Sequence, residues 1–201
     1  MKALLICLLT LPAFTADRND WVLKSDKDGI HVYSRRSDCS RFNDTRVDLD
    51  LPGTVEQLAA ILRDVDRYPD WVYSTRNTNI IQQVGRNEVV YYAVIGTPWP
   101  AEDRDYYADL KLNFNAADQS MTVLSVGLKN FRPEKKDFVR VPMSRACWTV
   151  RTESAHKIHL QYTLQIDPGG EVPAWILNHF STRAPIETFS NLKKKLEDLN
   201  R

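Results

Sequence analysis

The sequence predicts an α+β fold in which a long antiparallel sheet packs against one long C-terminal helix. Most of the chain alternates apolar and polar residues, one short helical segment follows the third strand, and the tail repeats apolar residues every three or four positions. A sheet with one polar face must bury its other face, and the C-terminal helix is the large apolar surface available to cover it. The 201 residues are enough for one domain.

The alternating segments predict about nine strands. The clearest alternation occurs in 104–114, where an apolar row faces away from a largely polar one. We expect Tyr106, Ala108, Leu110, Leu112 and Phe114 to face the core, and Tyr107, Asp109, Lys111 and Asn113 to face solvent. The nine predicted strands are 21–24, 30–33, 45–51, 80–84, 88–95, 104–114, 121–126, 143–152 and 157–166.

Helix signals occur at two places. Thr54 and Gln57 form the pattern of a capping box before an apolar stripe, and Pro69 is expected to end this first helix. The tail repeats apolar residues at helical spacing, and Pro185 inside it predicts a kink or a break. The residues of the tail that are expected to face inward are Phe189, Leu192, Leu196 and Leu199.

Residues 1–16 have the pattern of a secretory signal peptide. Lys2 precedes a short apolar run, and small residues up to Ala16 come before a polar stretch. The run is shorter than the roughly 20 residues that a membrane-spanning helix needs, and a buried first helix is the alternative. We therefore predict export, to the periplasm in a bacterial host and otherwise by secretion, with residues 17–201 as a single domain.

Charge and cysteine content narrow the choice of partners. Lys and Arg total 27 against 26 for Asp and Glu, so the basic surplus that nucleic-acid binding needs is missing. We expect a monomer with no nucleic-acid partner.

Cys39 and Cys147 would remain after removal of the signal peptide, and the sequence leaves open whether they pair or stay separate thiols.

No pattern of a catalytic or metal site occurs, so we predict a protein that is not an enzyme and needs no cofactor. The Gly-x-Ser-x-Gly, His-Glu-x-x-His and phosphate-loop patterns are missing. His156 and His159 are expected to point to opposite faces of a strand rather than share a metal. Arg104 and Asp105 could form a catalytic pair, but we expect a structural ion pair at the start of a strand.

Several short motifs occur in an order that resembles the START domain, the steroidogenic acute regulatory protein-related lipid transfer domain, with its helix-grip fold. The motifs are Tyr68-Pro69-Asp70-Trp71, Pro98-Trp99-Pro100 leading into Arg104-Asp105-Tyr106, Trp148, and the segment 166–173 that contains Asp167-Pro168-Gly169-Gly170. The resemblance extends from about residue 20 to the C-terminus. It implies a curved sheet wrapped around the C-terminal helix, with an internal tunnel that binds and shields one lipid.

The resemblance also implies which residues line this tunnel, with ordinary core packing as the alternative for each of them. The implied wall residues are Tyr91, Ala93, Ile95, Ala108, Leu110, Leu112, Leu160, Tyr162 and Leu164, and the implied roof residues are Trp175, Ile176 and Phe180. Some sterol-binding relatives carry a buried acid and base where this chain has Tyr91 and Leu110, so the tunnel is expected to be less polar. Tyr91 and Tyr162 could offer hydroxyls to a ligand.

A closed tunnel needs a movable wall to exchange its ligand at a membrane. Gly169 and Gly170 precede Pro173, and Pro185 lies further along the last helix. We predict that 169–184 moves as a gate, hinged at the glycines and at Pro185. The start of this helix is expected to face the turn at 115–116. A simple tight turn at the glycines is the alternative. The basic and aromatic loop 127–142 is the next candidate gate and a candidate contact for anionic lipid.

The lipid itself is predicted only as a sterol, a phospholipid or a related amphiphile, carried between membranes. Two other functions remain open. Helix-grip proteins include cyclases and hydrolyases, so an enzyme for a small hydrophobic substrate is one alternative. A sensor that binds a lipid without transferring it is the other.

Overall fold

The computed structural model describes residues 21–201, and the predicted signal peptide lies outside this range. The strands are β1 (Val22–Lys27), β2 (Ile30–Arg36), β3 (Asn43–Pro52), β4 (Thr75–Gly85), β5 (Glu88–Ile95), β6 (Arg104–Asn115), β7 (Ser120–Gly127), β8 (Val139–Arg140), β9 (Met143–Ser154) and β10 (Lys157–Asp167). The α-helices are α1 (Val55–Arg63) and α2 (Ala174–Leu199), and a short 3₁₀ helix lies at Val65–Asp70.

One open sheet contains all these strands, and α2 covers one face of it, which confirms the predicted α+β helix-grip architecture. The strand order is β1-β2-β3-β10-β9-β7-β6-β5-β4, and each of these neighbours pairs in antiparallel fashion. The additional strand, β8, pairs with β6 in parallel. Its two residues are too few to show an alternation, so the sequence pattern missed it.

Within residues 21–201, no helix combines the length and the apolar character needed to cross a membrane.

The first helix begins as predicted, with a capping box. The Thr54 hydroxyl accepts a hydrogen bond from the Gln57 amide at 3.2 Å, and the Gln57 side-chain oxygen accepts one from the Thr54 amide at 2.8 Å. The helix ends at Arg63 rather than at Pro69, which lies inside the following 3₁₀ helix. The apolar stripe continues to the buried Val65, and this is why the pattern predicted a longer helix.

The C-terminal helix is anchored by its second half. Phe189, Leu192 and Leu196 are buried as predicted. Leu199 is 57% exposed, so its predicted inward orientation is wrong; in this last turn Asn200, not Leu199, reaches α1, where it bonds to the Gln57 side chain. α2 continues through Pro185, so the chain has no break there.

The outer face of the sheet is less polar than predicted. Tyr107 is only 3% exposed and forms a small second cluster with Tyr92 and Val94. Leu128 and Phe138, the first and last residues of the loop between β7 and β8, pack against this cluster. The loop therefore folds over the outer face, which explains why Tyr107 is buried on the side expected to face solvent. Phe114, expected in the core, is 41% exposed near the end of β6.

A buried ion pair holds the same loop. Arg140 donates from Nε and Nη2 to the two carboxylate oxygens of Asp105, at 2.8 and 3.0 Å, and both side chains are almost completely buried. The Arg140 Nη1 atom also donates to the backbone carbonyls of Lys129 and Arg132, at 3.1 and 3.0 Å. One guanidinium thus ties the loop to β6.

The expected ion pair at Asp105 exists, but its partner is not Arg104. Neighbouring residues of a strand point to opposite faces, so Arg104 lies on the side of the sheet that faces α2. There its guanidinium donates to the carbonyl of Glu102 and, at 3.5 Å, to that of Gly169. Arg104 therefore links the start of β6 to the turn that precedes α2.

Candidate functional site

The inner face of the sheet carries most of the predicted wall. Strand register places Tyr91 opposite Ala108 and Tyr162 opposite Trp148. The wall residues buried in the main core are Tyr91, Ala93, Ala108, Leu110, Leu112 and Leu160. Tyr162 packs against that core, whereas Ile95 and Leu164 are partly exposed. These side chains share one apolar interior, and their contact with a ligand stays a prediction.

The predicted roof residues differ in their placement. Ile176 is almost fully buried, at 1% exposed. Phe180 is partly buried and packs edge-on against Tyr73, with ring centroids 6.1 Å apart. Trp175 was expected to face the interior, but it is 52% exposed and faces solvent. Adjacent helical residues point in directions about 100° apart, and the buried position of Ile176 turns Trp175 outward.

Tyrosine hydroxyls gather in the middle of this interior. The Tyr91 hydroxyl lies 3.5 Å from that of Tyr106 and 3.4 Å from the Ser125 hydroxyl. The Tyr68 ring packs edge-on against Tyr91, and its hydroxyl donates to the Leu62 carbonyl at 2.7 Å. The alternation of 104–114 predicts that Tyr106 lies on this face, and this was the available signal for Tyr106. Tyr106, Tyr68 and Ser125 were not among the predicted site residues.

Burial keeps these phenols protonated. It is the main reason why the pKa of Tyr91 is raised, and it raises the pKa of Tyr106 well above the usual value, with a further contribution from Tyr91. Burial and then Tyr91 raise the pKa of Tyr162 as well. Because the hydroxyls stay neutral near pH 7, each one can both donate and accept a hydrogen bond.

A cavity of about 200 Å³ opens beside the end of α1. The lining residues are Arg63, Gln83, Arg86, Asn87, Glu88, Val89, Leu110 and Leu112, so it shares only Leu110 and Leu112 with the predicted wall. Sites for drug-sized ligands typically enclose about 300–1,000 Å³. This cavity is therefore smaller than such sites, and most of its lining lies outside the predicted wall.

The glycines before α2 form a tight turn. Gly169 and Gly170 have φ angles of +72° and +59°, a conformation that favours glycine. A Cβ atom on Gly169 would lie 2.9 Å from the Arg140 carbonyl oxygen. Arg41 donates to the Gly170 carbonyl at 3.0 Å, so side chains hold both glycines in place. This geometry matches the tight-turn alternative, and hinge motion at the glycines stays a prediction.

The first half of α2 is less deeply buried than the second: Ile176 is its one buried residue, and Ile186 packs partly buried against the main core. The Tyr73 hydroxyl lies 2.7 Å from His179 Nε2, and its ring packs against Phe180. The start of α2 also lies at the Arg104 end of β6, because Arg104 reaches Gly169. The turn at 115–116 follows the opposite end of β6, so the expected proximity of the gate to that turn is wrong.

Taken together, an open antiparallel sheet closed by one C-terminal helix over an apolar interior defines a helix-grip protein. The START domain family matches residues 11–200, and the chain belongs to this family. An uncharacterized protein of Pseudomonas aeruginosa is 26% identical over 178 residues, which are 89% of this chain and 87% of that protein.

Solved structures share the fold. A STAR-related lipid transfer protein fragment from Xanthomonas axonopodis has a TM-score of 0.80 at 24% identity, covering 88% of this chain and 98% of that one. Human StAR-related lipid transfer protein 5 has a TM-score of 0.78 at 18% identity, covering 92% and 90%. A Streptomyces aromatase/cyclase has a TM-score of 0.57 at 12% identity, covering 79% and 95%.

Proposed function

We propose that this protein binds one lipid molecule between the sheet and α2 and carries it between membranes without altering it covalently. The observation that carries the proposal is the continuous apolar inner face beneath a helix whose first half has a single buried residue, Ile176. Exposing a lipid chain to water costs about 0.8 kcal/mol per methylene group, so a carrier must enclose the chain. A sterol, a phospholipid and a related amphiphile all meet this requirement.

The gate in this proposal is the first half of α2. Ile176 is its deeply buried anchor, whereas Phe189, Leu192 and Leu196 hold the second half in the core. Removing one apolar anchor and a few contacts to Tyr73 costs less than detaching the second half. The interior then widens from the end of the sheet where Gly169 lies.

Membrane contact and export complete the proposal. Trp99 is 88% exposed between two prolines, and tryptophan favours the interface between water and lipid. The pattern of residues 1–16 supports export to the periplasm or the exterior. A monomer is sufficient because one chain supplies both the wall and the covering helix.

Enzymatic activity is the weaker candidate. A general base works best when its pKa is near the operating pH. Burial raises the pKa values of Tyr91 and Tyr106 further above 7, which makes them poorer candidates. The likeness to an aromatase/cyclase is one of fold alone. A sensor would bind the same lipid but would not move it between vesicles, so a transfer measurement separates the two functions.

The direct test is mass spectrometry of organic extracts from natively purified protein, followed by transfer of that lipid between donor and acceptor vesicles. We expect about one lipid per chain and transfer that depends on protein concentration. Extracts without lipid, together with no uptake from vesicles, would refute the proposal.

A pair of variants on β6 gives the matched control. Ala108 is completely buried on the inner face, and Asn113 is exposed on the outer face. Ala108→Phe fills the interior and is expected to lower lipid uptake about tenfold, at a stability cost of about 1–3 kcal/mol. Asn113→Phe should leave uptake unchanged. Thermal unfolding of both variants confirms that they remain folded.

A further inference from the structure

The interior contains more hydrogen-bonding capacity than the protein itself satisfies. The two contacts of the Tyr91 hydroxyl, to Tyr106 and Ser125, are long at 3.5 and 3.4 Å. The indole Nε1 of Trp71 is buried with no hydrogen-bond partner in residues 21–201, although Trp71 is only 3% exposed. A buried polar group without a partner is costly, so such groups call for a ligand atom or water.

Ring contacts join these groups into one patch. Trp71 packs edge-on against Tyr68 at 5.3 Å between centroids, and Tyr68 packs against Tyr91 at 5.9 Å. Tyr91 in turn packs against Tyr106, also at 5.9 Å. Tyr162 lies on the same inner face of the sheet, where it packs against the main core. We call Tyr91, Tyr106, Ser125 and Tyr162 the hydroxyl cluster.

The rings that pack around the hydroxyl cluster are uncharged, and the Arg104 guanidinium on the same face of the sheet donates to the carbonyls of Glu102 and Gly169. Trp148 and Phe189 pack against Tyr162 at 5.0 and 5.3 Å between centroids, and Tyr68 closes the Tyr91 side. Burying a carboxylate or phosphate here without a counter-ion would cost several kcal/mol. An alcohol or a carbonyl needs only the one or two hydrogen bonds that neutral phenols supply.

We propose that the hydroxyl cluster binds the uncharged oxygen head group of a neutral lipid, an alcohol or a carbonyl, in preference to a carboxylate or a phosphate. This inference rests on the proposed function, because it assumes that the lipid occupies the interior. It adds the chemical class of the head group. The ligand's hydrocarbon part then lies against the apolar wall around the cluster.

Three fluorescent probes that differ only at one end test the inference: dodecylpyrene, pyrene-dodecanol and pyrene-dodecanoic acid. At about pH 8 the acid is ionised. We expect the alcohol to bind at least about tenfold more tightly than the ionised acid, which corresponds to one or two hydrogen bonds and an avoided buried charge. Equal or tighter binding of the acid would overturn the inference.

Variants that delete only hydroxyl groups provide the second arm. The double variant Tyr91→Phe, Tyr106→Phe keeps both rings and is expected to weaken alcohol binding about tenfold while leaving dodecylpyrene binding unchanged. Tyr33→Phe is the matched control, because Tyr33 is on β2 beside the buried Val32 and so faces outward. Unchanged alcohol binding in the folded double variant would also overturn the inference.

The hydrocarbon probe distinguishes a failure of the head-group inference from a failure of the proposed function. If dodecylpyrene binds but the three probes show no preference that depends on the tyrosines, the head-group inference fails and the enclosure of lipid stands. If dodecylpyrene itself does not bind, the proposed function fails, and the head-group inference fails with it.

Discussion

Arg140 donates to five acceptors with one guanidinium group. Two are the oxygens of Asp105 on β6, and the other three are the carbonyls of Lys129, Arg132 and Pro133 in the loop between β7 and β8. The guanidinium also lies over the Tyr107 ring, 5.0 Å from its centroid. The pKa of Arg140 is raised, chiefly by its hydrogen bonds to Asp105. A charge so enclosed is stable only while all these partners remain.

Arg140→Met is therefore expected to lower the free energy of unfolding by roughly 3–5 kcal/mol, because it leaves Asp105 buried and unpaired. Replacing both partners, as Asp105→Leu with Arg140→Met, should recover part of that loss. Urea denaturation of the two variants measures the difference. A double variant no more stable than the single one would contradict this account of the pair.

Single contacts of this kind follow from the sequence only in part. Asp105 was predicted to form a structural ion pair, but its partner is 35 residues away and lies in a two-residue strand without a pattern. Likewise, the alternation of β6 placed Ala108 and Leu110 on the inner face correctly. It failed at Tyr107 because a loop from elsewhere in the chain covers that residue.

Among the elements, α2 is buried to different depths in its two halves. Its second half is a core helix, with Phe189, Leu192 and Leu196 buried against the sheet. In its first half Ile176 is the one buried residue, Ile186 packs partly buried against the core, and His179 and Phe180 contact Tyr73. The helical repeat in the sequence predicted the buried half well. It could not predict that the helix continues through Pro185, since neighbouring contacts decide whether proline interrupts a helix.

If the first half of α2 is the gate, tying it to the rest of the protein must stop lipid exchange. A flexible bismaleimide can link cysteines placed at Tyr73 and His179, which are in contact, in a chain whose Cys7, Cys39 and Cys147 are replaced by serine. We expect the exchange rate to fall about tenfold or more after linking, because local opening would then require the core half to detach.

The control link joins Asp28 and Lys193, where the lysine reaches the Asp28 carbonyl at 3.5 Å beside the second half of α2. Exchange should continue at the original rate in this variant. If both links slow exchange equally, or neither does, the gate is elsewhere, and the loop 127–142 becomes the candidate.

On the scale of the whole molecule, two exposed tryptophans mark one end. Trp99 follows β5 and Trp175 begins α2, and the two segments meet where Arg104 reaches Gly169. This is the end at which the first half of α2 would open. An interfacial tryptophan here would place the opening against lipid.

Trp99→Ala is expected to weaken binding to phosphatidylcholine vesicles about tenfold, by removing a large apolar side chain from the membrane contact. Vesicle co-sedimentation gives the measurement. Phe114→Ala removes an exposed aromatic residue near the opposite end of β6 and should have no effect. Equal losses in the two variants would show that binding does not depend on this end.

The pairing of β3 with β10 has a consequence for how the chain folds. Pro52 pairs with Lys157, so strands made early in synthesis wait for partners made more than a hundred residues later. Such distant pairing slows folding, because loop closure must be completed before the contacts form. The covering helix follows all of these strands in the chain. A nascent chain therefore cannot complete its sheet until β10 has been synthesised.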